Sequence, residues 1–366
     1  MAINFSKIIN KGIAGLKPYI PGKPVEDLEI EFGISDAIKL ASNENPMGPS
    51  PIALKAVTKV LSGVHRYPDG NALRLKEKIS KKYDVDINQI TVGNGSNDII
   101  ECVVRSFLSS NDSAVFSKHA FAVYPLAVQI AGAEGIEVQP KDWGHDLVKM
   151  QKAIKENTKL VFIANPNNPT GTFLKRDELI SFLEKVSKDV IILLDQAYFD
   201  YSSYESKDVD FDLVNNFPNL IMSRSFSKAY GLAGFRVGFS VSSKEIANYL
   251  NRVRQPFNVN SLALVAAEAA LSDENHIQQS LKMNSDQKYI LYKGLDKLGY
   301  EYILTAANFI CFDCQQDAEE KYNDLLKEGI IVRSMGVYKM PNHLRVSIGL
   351  PEQNQIFLEK LAKFRS

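Results

Sequence analysis

The stretch from Leu220 to Gly238, Leu-Ile-Met-Ser-Arg-Ser-Phe-Ser-Lys-Ala-Tyr-Gly-Leu-Ala-Gly-Phe-Arg-Val-Gly, gathers the side chains best able to do chemistry. The apolar run Leu220 to Met222 delivers two hydroxyls, Ser225 and Ser227, then Lys228 and, past a glycine-rich turn, Arg236. Hydroxyls with an arginine suit a phosphate, whereas a neutral lysine amine suits a carbonyl carbon. Pyridoxal 5′-phosphate (PLP) asks for both, because an amine must attack its aldehyde while neighbouring groups anchor its phosphate. Most lysines are solvated surface groups. Lys228 lies instead just beyond an apolar run, with Gly231, Gly234 and Gly238 loosening the backbone around it, which suits a ligand loop better than a helix face.

Such a loop needs a scaffold. Short apolar runs at Ile90–Val92, Ala114–Phe116, Leu160–Ala164, Val190–Leu194 and Leu220–Met222 alternate with helical stretches, so an α/β fold with a mainly parallel sheet covered on both faces is expected. Ligand groups then belong at the carboxyl ends of the strands. The residues just past the runs are His119 to Phe121, Asn165 to Gly171, Asp195 to Tyr198, and Ser225 to Lys228. Asp195 at the end of a buried strand can hold a proton on the PLP ring nitrogen, and it would equally serve as a helix cap. Asn168 and Tyr198 are placed to hydrogen-bond the cofactor's 3′-oxygen, and Phe121 to stack on its ring; the two aromatics also read as core residues.

Gly93-Asn-Gly-Ser-Asn97 follows a strand and opens a helix whose apolar side is Ile99, Ile100, Val103, Val104 and Phe107, a start that favours a phosphate. Asp98 stands where the dinucleotide-binding fingerprint needs its third glycine. Upstream, Asn43, Glu44 and Asn45 cluster in a proline-rich loop, and Pro51 to Leu61 reads as a helix with Ile52, Ala56, Val57 and Val60 inward. Tyr67, in the turn 66–70, is either a surface ring or a hydroxyl donor to a ligand. From Ser261 onward, helices over 262–271 and 277–295 and strands near 308–312, 330–333 and 344–348 suggest a smaller α+β unit. The expected organisation is an N-terminal arm (1–38), a large PLP-binding domain (39–258) and a small C-terminal domain (259–366).

Composition narrows the partners. Forty-three basic against 43 acidic residues in 366 leave no broad field to attract nucleic acid or an anionic membrane. Lys7, Lys11 and Lys17 interrupt the N-terminus before a signal peptide or membrane span could form, and Ile9, Ile13 and Leu16 fall at helical spacing. Three cysteines cannot build a disulfide framework, so a reducing, cytoplasmic setting is expected. Cys311 and Cys314 are spaced as C-x-x-C, but positions three apart on a strand face opposite ways and no second pair completes a zinc site, so no metal is expected.

The motifs Asn-Pro-Asn-Asn-Pro-Thr-Gly at 165–171, Asp-Gln-Ala-Tyr at 195–198 and the 225–238 run, in this order, resemble those of the class I/II aminotransferases of PLP-dependent fold type I. Asn-Glu-Asn-Pro at 43–46, Arg-Tyr-Pro-Asp-Gly at 66–70, Ile-Val-Arg at 331–333 and Leu-Arg-Val-Ser-Ile-Gly at 344–349 are similar to the histidinol-phosphate aminotransferase branch. The resemblance implies that Lys228 carries the cofactor as a Schiff base and moves the substrate's Cα proton. It also implies Asp195 at the pyridine nitrogen, Asn168 and Tyr198 at the 3′-oxygen, Phe121 on the ring face, and Ser96, Asn97, Ser225, Ser227 and Arg236 at the phosphate. A tyrosine matching Tyr67 reaches that phosphate from the other subunit in such enzymes, which implies a homodimer. Arg345 matches the arginine that grips the substrate's anionic end, with Arg333 its companion and Tyr19 and Asn43 as further substrate contacts. Two positions depart from the pattern: Gln196 stands where glutamate is usual, and Phe121 where many relatives have tyrosine.

A phosphate monoester, with more charge and more acceptor oxygens than a carboxylate, favours two cations, and Arg333 with Arg345 offers two. The expected reaction is transamination of L-histidinol phosphate with 2-oxoglutarate, giving imidazole acetol-phosphate and L-glutamate. Arg333 also reads as a surface ion-pair partner. An aromatic amino acid aminotransferase or a threonine-phosphate decarboxylase on the same scaffold stays open, as does a PLP-binding regulator without turnover, although no DNA-binding helix pair or basic patch is visible.

Overall fold

A computed structural model describes residues 5, 8–16, 22–206 and 211–364. Its centre is a seven-stranded sheet built from β2 (Ile90–Gly93), β3 (Ser113–Ser117), β4 (Glu134–Val138), β5 (Thr158–Ala164), β6 (Ile191–Asp195), β7 (Leu220–Ser225) and β8 (Gly238–Ser242), in the spatial order β2-β8-β7-β6-β5-β3-β4. The pairs from β7 through to β4 are parallel, and β8 runs antiparallel to both β2 and β7. Strands β3, β5, β6 and β7 are buried on both faces because helices cover each side, which is why their sequences read as unbroken apolar runs rather than alternating ones. Val161, Ile163, Leu194 and Met222 face one core, and Leu160, Phe162, Leu193 and Ile221 the other.

Two strands lie where the sequence suggests none. β4 has an exposed, mixed pattern (Glu-Gly-Ile-Glu-Val) because it is the edge of the sheet, and β8 continues directly from the glycine-rich turn after Lys228. Strand β7 also runs past Met222 to Ser225, so that first hydroxyl is held by the sheet itself.

The second unit is a four-stranded antiparallel sheet in the order β12-β13-β10-β9, from β9 (Tyr302–Ile303), β10 (Phe309–Asp313), β12 (Arg333–Ser334) and β13 (His343–Ser347). The helices Glu274–Leu298, Ala318–Lys327 and Pro351–Ala362 pack on it around Phe312, Leu344, Val346 and Phe357. Chain crossings tie the two units together. β1 (Ile38–Lys39) pairs in parallel with β11 (Ile330–Ile331), while the helix Ser261–Ala270 packs its alanines into the core of the seven-stranded unit.

The helix Pro51–Val60 forms as expected, with Ser50 as its N-cap and proline at its first turn. Its inward residues differ, however. Ala53 and Val57 are buried, whereas Ile52 is 53% exposed, so the apolar face expected to point at the core points partly outward. Near the N-terminus Lys11–Ala14 is a short α-helix, and Ile9 and Ile13 lie exposed.

Candidate active site

A cavity of about 280 Å³ opens at the carboxyl ends of β5, β6 and β7, roofed by β12, β13 and the segment 41–44. Lys228 lies at its centre, in the turn that leaves β7. Its Nζ donates to the carbonyl of Ser42 at 3.1 Å and lies 5.4 Å from the centroid of the Tyr198 ring. Burial, followed by the nearby Arg345 and Arg236 charges, pulls the amine down to about 7 from its ordinary value near 10.5, despite the opposing pull of Glu44. The side chain is therefore substantially a neutral nucleophile near neutral pH.

Asp195 closes β6 below the amine. Its Oδ2 accepts from the Tyr124 hydroxyl at 2.8 Å, and its Oδ1 accepts from the Ala197 N–H at 3.1 Å and the Ser223 hydroxyl at 3.3 Å. Burial pushes this carboxyl above its usual range, against those hydrogen bonds, and no lysine, arginine or histidine among the described residues forms an ion pair with it. An anion at that place calls for a cation from a ligand, and a protonated pyridine nitrogen is one.

At one end, Ser96, Asn97, Ser225, Ser227 and Arg236 line the cavity together. Arg236 Nη1 donates to Ser227 Oγ at 3.4 Å and to the carbonyl of Ala233 at 3.0 Å, and Ser227 N–H donates to Ser225 Oγ at 3.1 Å. The helix Ser96–Phe107 begins here, directing its first backbone N–H groups and positive dipole end at the same space. Gly95, with φ +81°, caps it; a Cβ there would lie 2.7 Å from Arg236 Nη2, so a side chain would displace the arginine. Asp98 has a structural task, with its Oδ2 accepting from Asn94 N–H at 2.8 Å and from Asn258 Nδ2 at 2.7 Å. Hydroxyls, a guanidinium and a helix start together make a cradle that suits a phosphate.

The other end belongs to the smaller sheet. Arg345 on β13 lies directly opposite Arg333 on β12, and both reach the cavity. Arg345 Nη1 donates to Asn168 Oδ1 at 2.5 Å and Nη2 to the carbonyl of Ala41 at 2.9 Å, its plane resting 5.1 Å from the Phe309 ring centroid. Its Nε is buried and has no hydrogen-bond partner among the described residues. Asn43 Nδ2 donates to Tyr198 Oη at 2.9 Å, so the tyrosine's own proton remains free to be donated. Asn168 likewise keeps its Nδ2 donors once Oδ1 is taken by Arg345.

Thirteen of the fifteen sequence-nominated residues thus meet around one cavity: the five of the cradle, Lys228, Asp195, Tyr198, Asn168, Phe121, Asn43, Arg333 and Arg345. Tyr67 does not line it. Its ring is 83% exposed and stacks on Phe257 at 4.7 Å. Tyr19 lies outside the described residues. Several contributors carry no motif of their own: Tyr124, which follows Phe121 by one turn and stacks on Phe162; Ser223, two residues before the predicted hydroxyl; and Tyr338 and Ser42, which enter only through tertiary contact.

Gln196 has an identifiable partner. Its Oε1 accepts from Arg224 Nε at 2.9 Å, and Arg224, buried 3.9 Å from the Phe199 ring centroid, pairs with Asp200 at 3.6 Å. The position after Asp195 thus faces away from the cavity and joins β6 to β7 from behind. Among the described residues no group of three or more His, Cys, Asp or Glu is placed to hold a metal, and no helix is long and apolar enough to cross a membrane. Cys311 and Cys314 are buried free thiols whose ionisation burial disfavours.

A strand-end lysine, a buried carboxylate and a phosphate cradle on this sheet define a PLP-dependent enzyme of fold type I. The chain belongs to the family described as aminotransferase class I and II, whose sequence pattern matches residues 35–361. It is 50% identical over 365 residues to histidinol-phosphate aminotransferase 2 of Pseudomonas fluorescens, covering 99% of each chain. To the protein of that name in Pseudomonas aeruginosa it is 51% identical, covering 98% of each. Among solved structures it is similar to the histidinol-phosphate aminotransferase of Sinorhizobium meliloti in complex with pyridoxal-5′-phosphate, with a TM-score of 0.89 at 25% identity over 97% of this chain and 96% of the other.

Proposed function

We propose that the protein transfers the amino group of L-histidinol phosphate to 2-oxoglutarate, giving imidazole acetol-phosphate and L-glutamate. The observation that carries the substrate choice is the pair of arginines, Arg333 and Arg345, set opposite each other on adjacent strands and both lining the cavity. A phosphate monoester can engage two cations, while a carboxylate is satisfied by one bidentate guanidinium. The full-length likeness to two proteins of that activity supports the same reading.

When bound, PLP supplies a protonated ring that accepts the electron pair released at the substrate's Cα. Lys228 would hold the cofactor's aldehyde carbon through Nζ, and its free amine would move the proton at the substrate's Cα. A pKa near 7 suits an amine that must both accept and release that proton. Asp195 keeps the proton on the ring nitrogen, and the Tyr124 and Ser223 hydroxyls fix the orientation of its carboxylate. Tyr198 and Asn168 would donate to the 3′-oxygen with the donors left free, and Asn43 and Arg345 hold the two side chains in place. Phe121, in the cavity lining, would cover the ring face.

The reading includes a homodimer in which Tyr67 reaches the partner's phosphate cradle. What supports it is the exposure of Tyr67 with Phe257, on which it stacks, and of Ile52, Leu54, Leu61, Val64 and Leu73 in the flanking segments, each at least 45% exposed. A cytoplasmic location fits the three free, buried thiols.

Steady-state kinetics decide the substrate. With 2-oxoglutarate as acceptor, kcat/KM for histidinol phosphate should exceed that for phenylalanine; the reverse order would reassign the enzyme to aromatic amino acids.

A further inference from the structure

We propose that Glu44 recognises the substrate's imidazole, accepting a ring N–H and so selecting a basic ring over a purely aromatic one; this rests on the histidinol phosphate reading above. Among the described residues, two carboxylates line the cavity, Asp195 and Glu44. Asp195 is buried beneath the cofactor position, with both oxygens engaged by Tyr124, Ala197 and Ser223. Glu44 is the remaining anion in the lining.

Its position suits the task. Glu44 follows Ser42 by two residues, and the Ser42 carbonyl is the atom that Lys228 Nζ touches, so the carboxylate is carried on the same short segment that borders the reacting amine. Oε1 is held by Lys39 Nζ at 2.8 Å, whereas Oε2 has no hydrogen-bond partner among the described residues. The side chain remains 43% exposed, and an oxygen fixed in place with its twin open is an acceptor already oriented for a donor.

The substrate has three ends to satisfy. The phosphate belongs with Arg333 and Arg345, and the amine-bearing carbon with Lys228. The ring is left, and imidazole offers an N–H in its neutral form and two in its charged form. A phenyl ring offers none. An acidic acceptor here therefore discriminates by the presence of a donor, a contrast stronger than hydrophobic packing provides.

The test uses the PLP-loaded protein and two unreactive ligands, 3-(imidazol-4-yl)propyl phosphate and 3-phenylpropyl phosphate, which keep the phosphate and differ only in the ring. Titration calorimetry should give wild type a preference of about tenfold or more for the imidazole ligand. Glu44→Ala should abolish that preference, Glu44→Gln should keep part of it through its neutral oxygen, and retained PLP will report that each variant is folded. A wild-type protein without the preference, or a Glu44→Ala protein that keeps it, overturns the proposal. Turnover separates the two readings: wild type inactive on histidinol phosphate removes the substrate assignment and this inference with it, while full histidinol phosphate turnover by Glu44→Ala removes the role of Glu44 alone.

Discussion

The two ends of the cavity are made in different ways. The phosphate end and its floor come from short stretches that leave the ends of the seven-stranded sheet: Ser225, Ser227 and Lys228 after β7, Asp195 at the end of β6, and Ser96 just past β2. The arginine end is assembled from distant parts of the chain. Arg345 is tied to the Ala41 carbonyl across 304 residues, Asn43 N–H donates to Ser347 Oγ across the same separation, and Asn43 reaches Tyr198 across 155. On the proposed reading, a rigid parallel sheet fixes the reacting groups, and contacts between the units fix what the site accepts. Damage to the floor should reduce reaction with every substrate, and damage to the wall should change mainly which substrate binds.

The largest effect is expected at Lys228. Lys228→Ala removes both the proposed attachment point and the proposed proton carrier, and turnover should fall by at least about 10³-fold for all amino donors, measured by single-turnover absorbance. Loss confined to one donor would contradict the division between floor and wall. Asp195→Asn keeps the shape and deletes the charge, so kcat should fall by roughly 10²-fold or more and cofactor affinity with it, again irrespective of substrate. A normal kcat in this variant would mean that the ring-nitrogen proton is held elsewhere.

Arg345→Lys probes the wall. Replacing a bidentate, stacked guanidinium with a point charge should cut kcat/KM for the phosphorylated donor by roughly 30-fold, through KM more than kcat, and leave bound PLP in place. Loss of cofactor instead would show that the two ends are not separable. The smallest effect concerns pH. Because Lys228 titrates near 7, the apoprotein should capture PLP slowly in its charged form at lower pH and faster as pH rises through that value, then level off; a midpoint near 10 would mean that burial and the neighbouring arginines do not act on the amine.

The same contrast governs what the sequence made legible. The sheet and the floor groups could be read because a buried parallel strand needs an unbroken apolar run and because the groups that do chemistry follow it directly: β5, β6 and β7 with Asn168, Asp195 and Lys228 are of this kind. β4 escaped because an edge strand is not apolar on both faces, and β8 because its glycines read as turn. The inward face of the helix Pro51–Val60 was misplaced at Ile52, since periodicity marks an apolar face without saying what will cover it. Arg333 and Arg345 became candidates by family likeness; their setting against Ala41, Asn168 and Phe309 depends on pairings no local pattern encodes. Tyr124 and Glu44 were in view as letters, with roles that appear only once β6 and the 41–44 segment border one space.

The attachment of the cofactor to one amine is the claim on which the rest depends. Borohydride reduction of the PLP-loaded protein, followed by mass mapping of its peptides, tests it most directly. A phosphopyridoxyl group should be found on Lys228 alone, at one per chain. A label on any peptide without that residue, with Lys228 unmodified, would contradict the account.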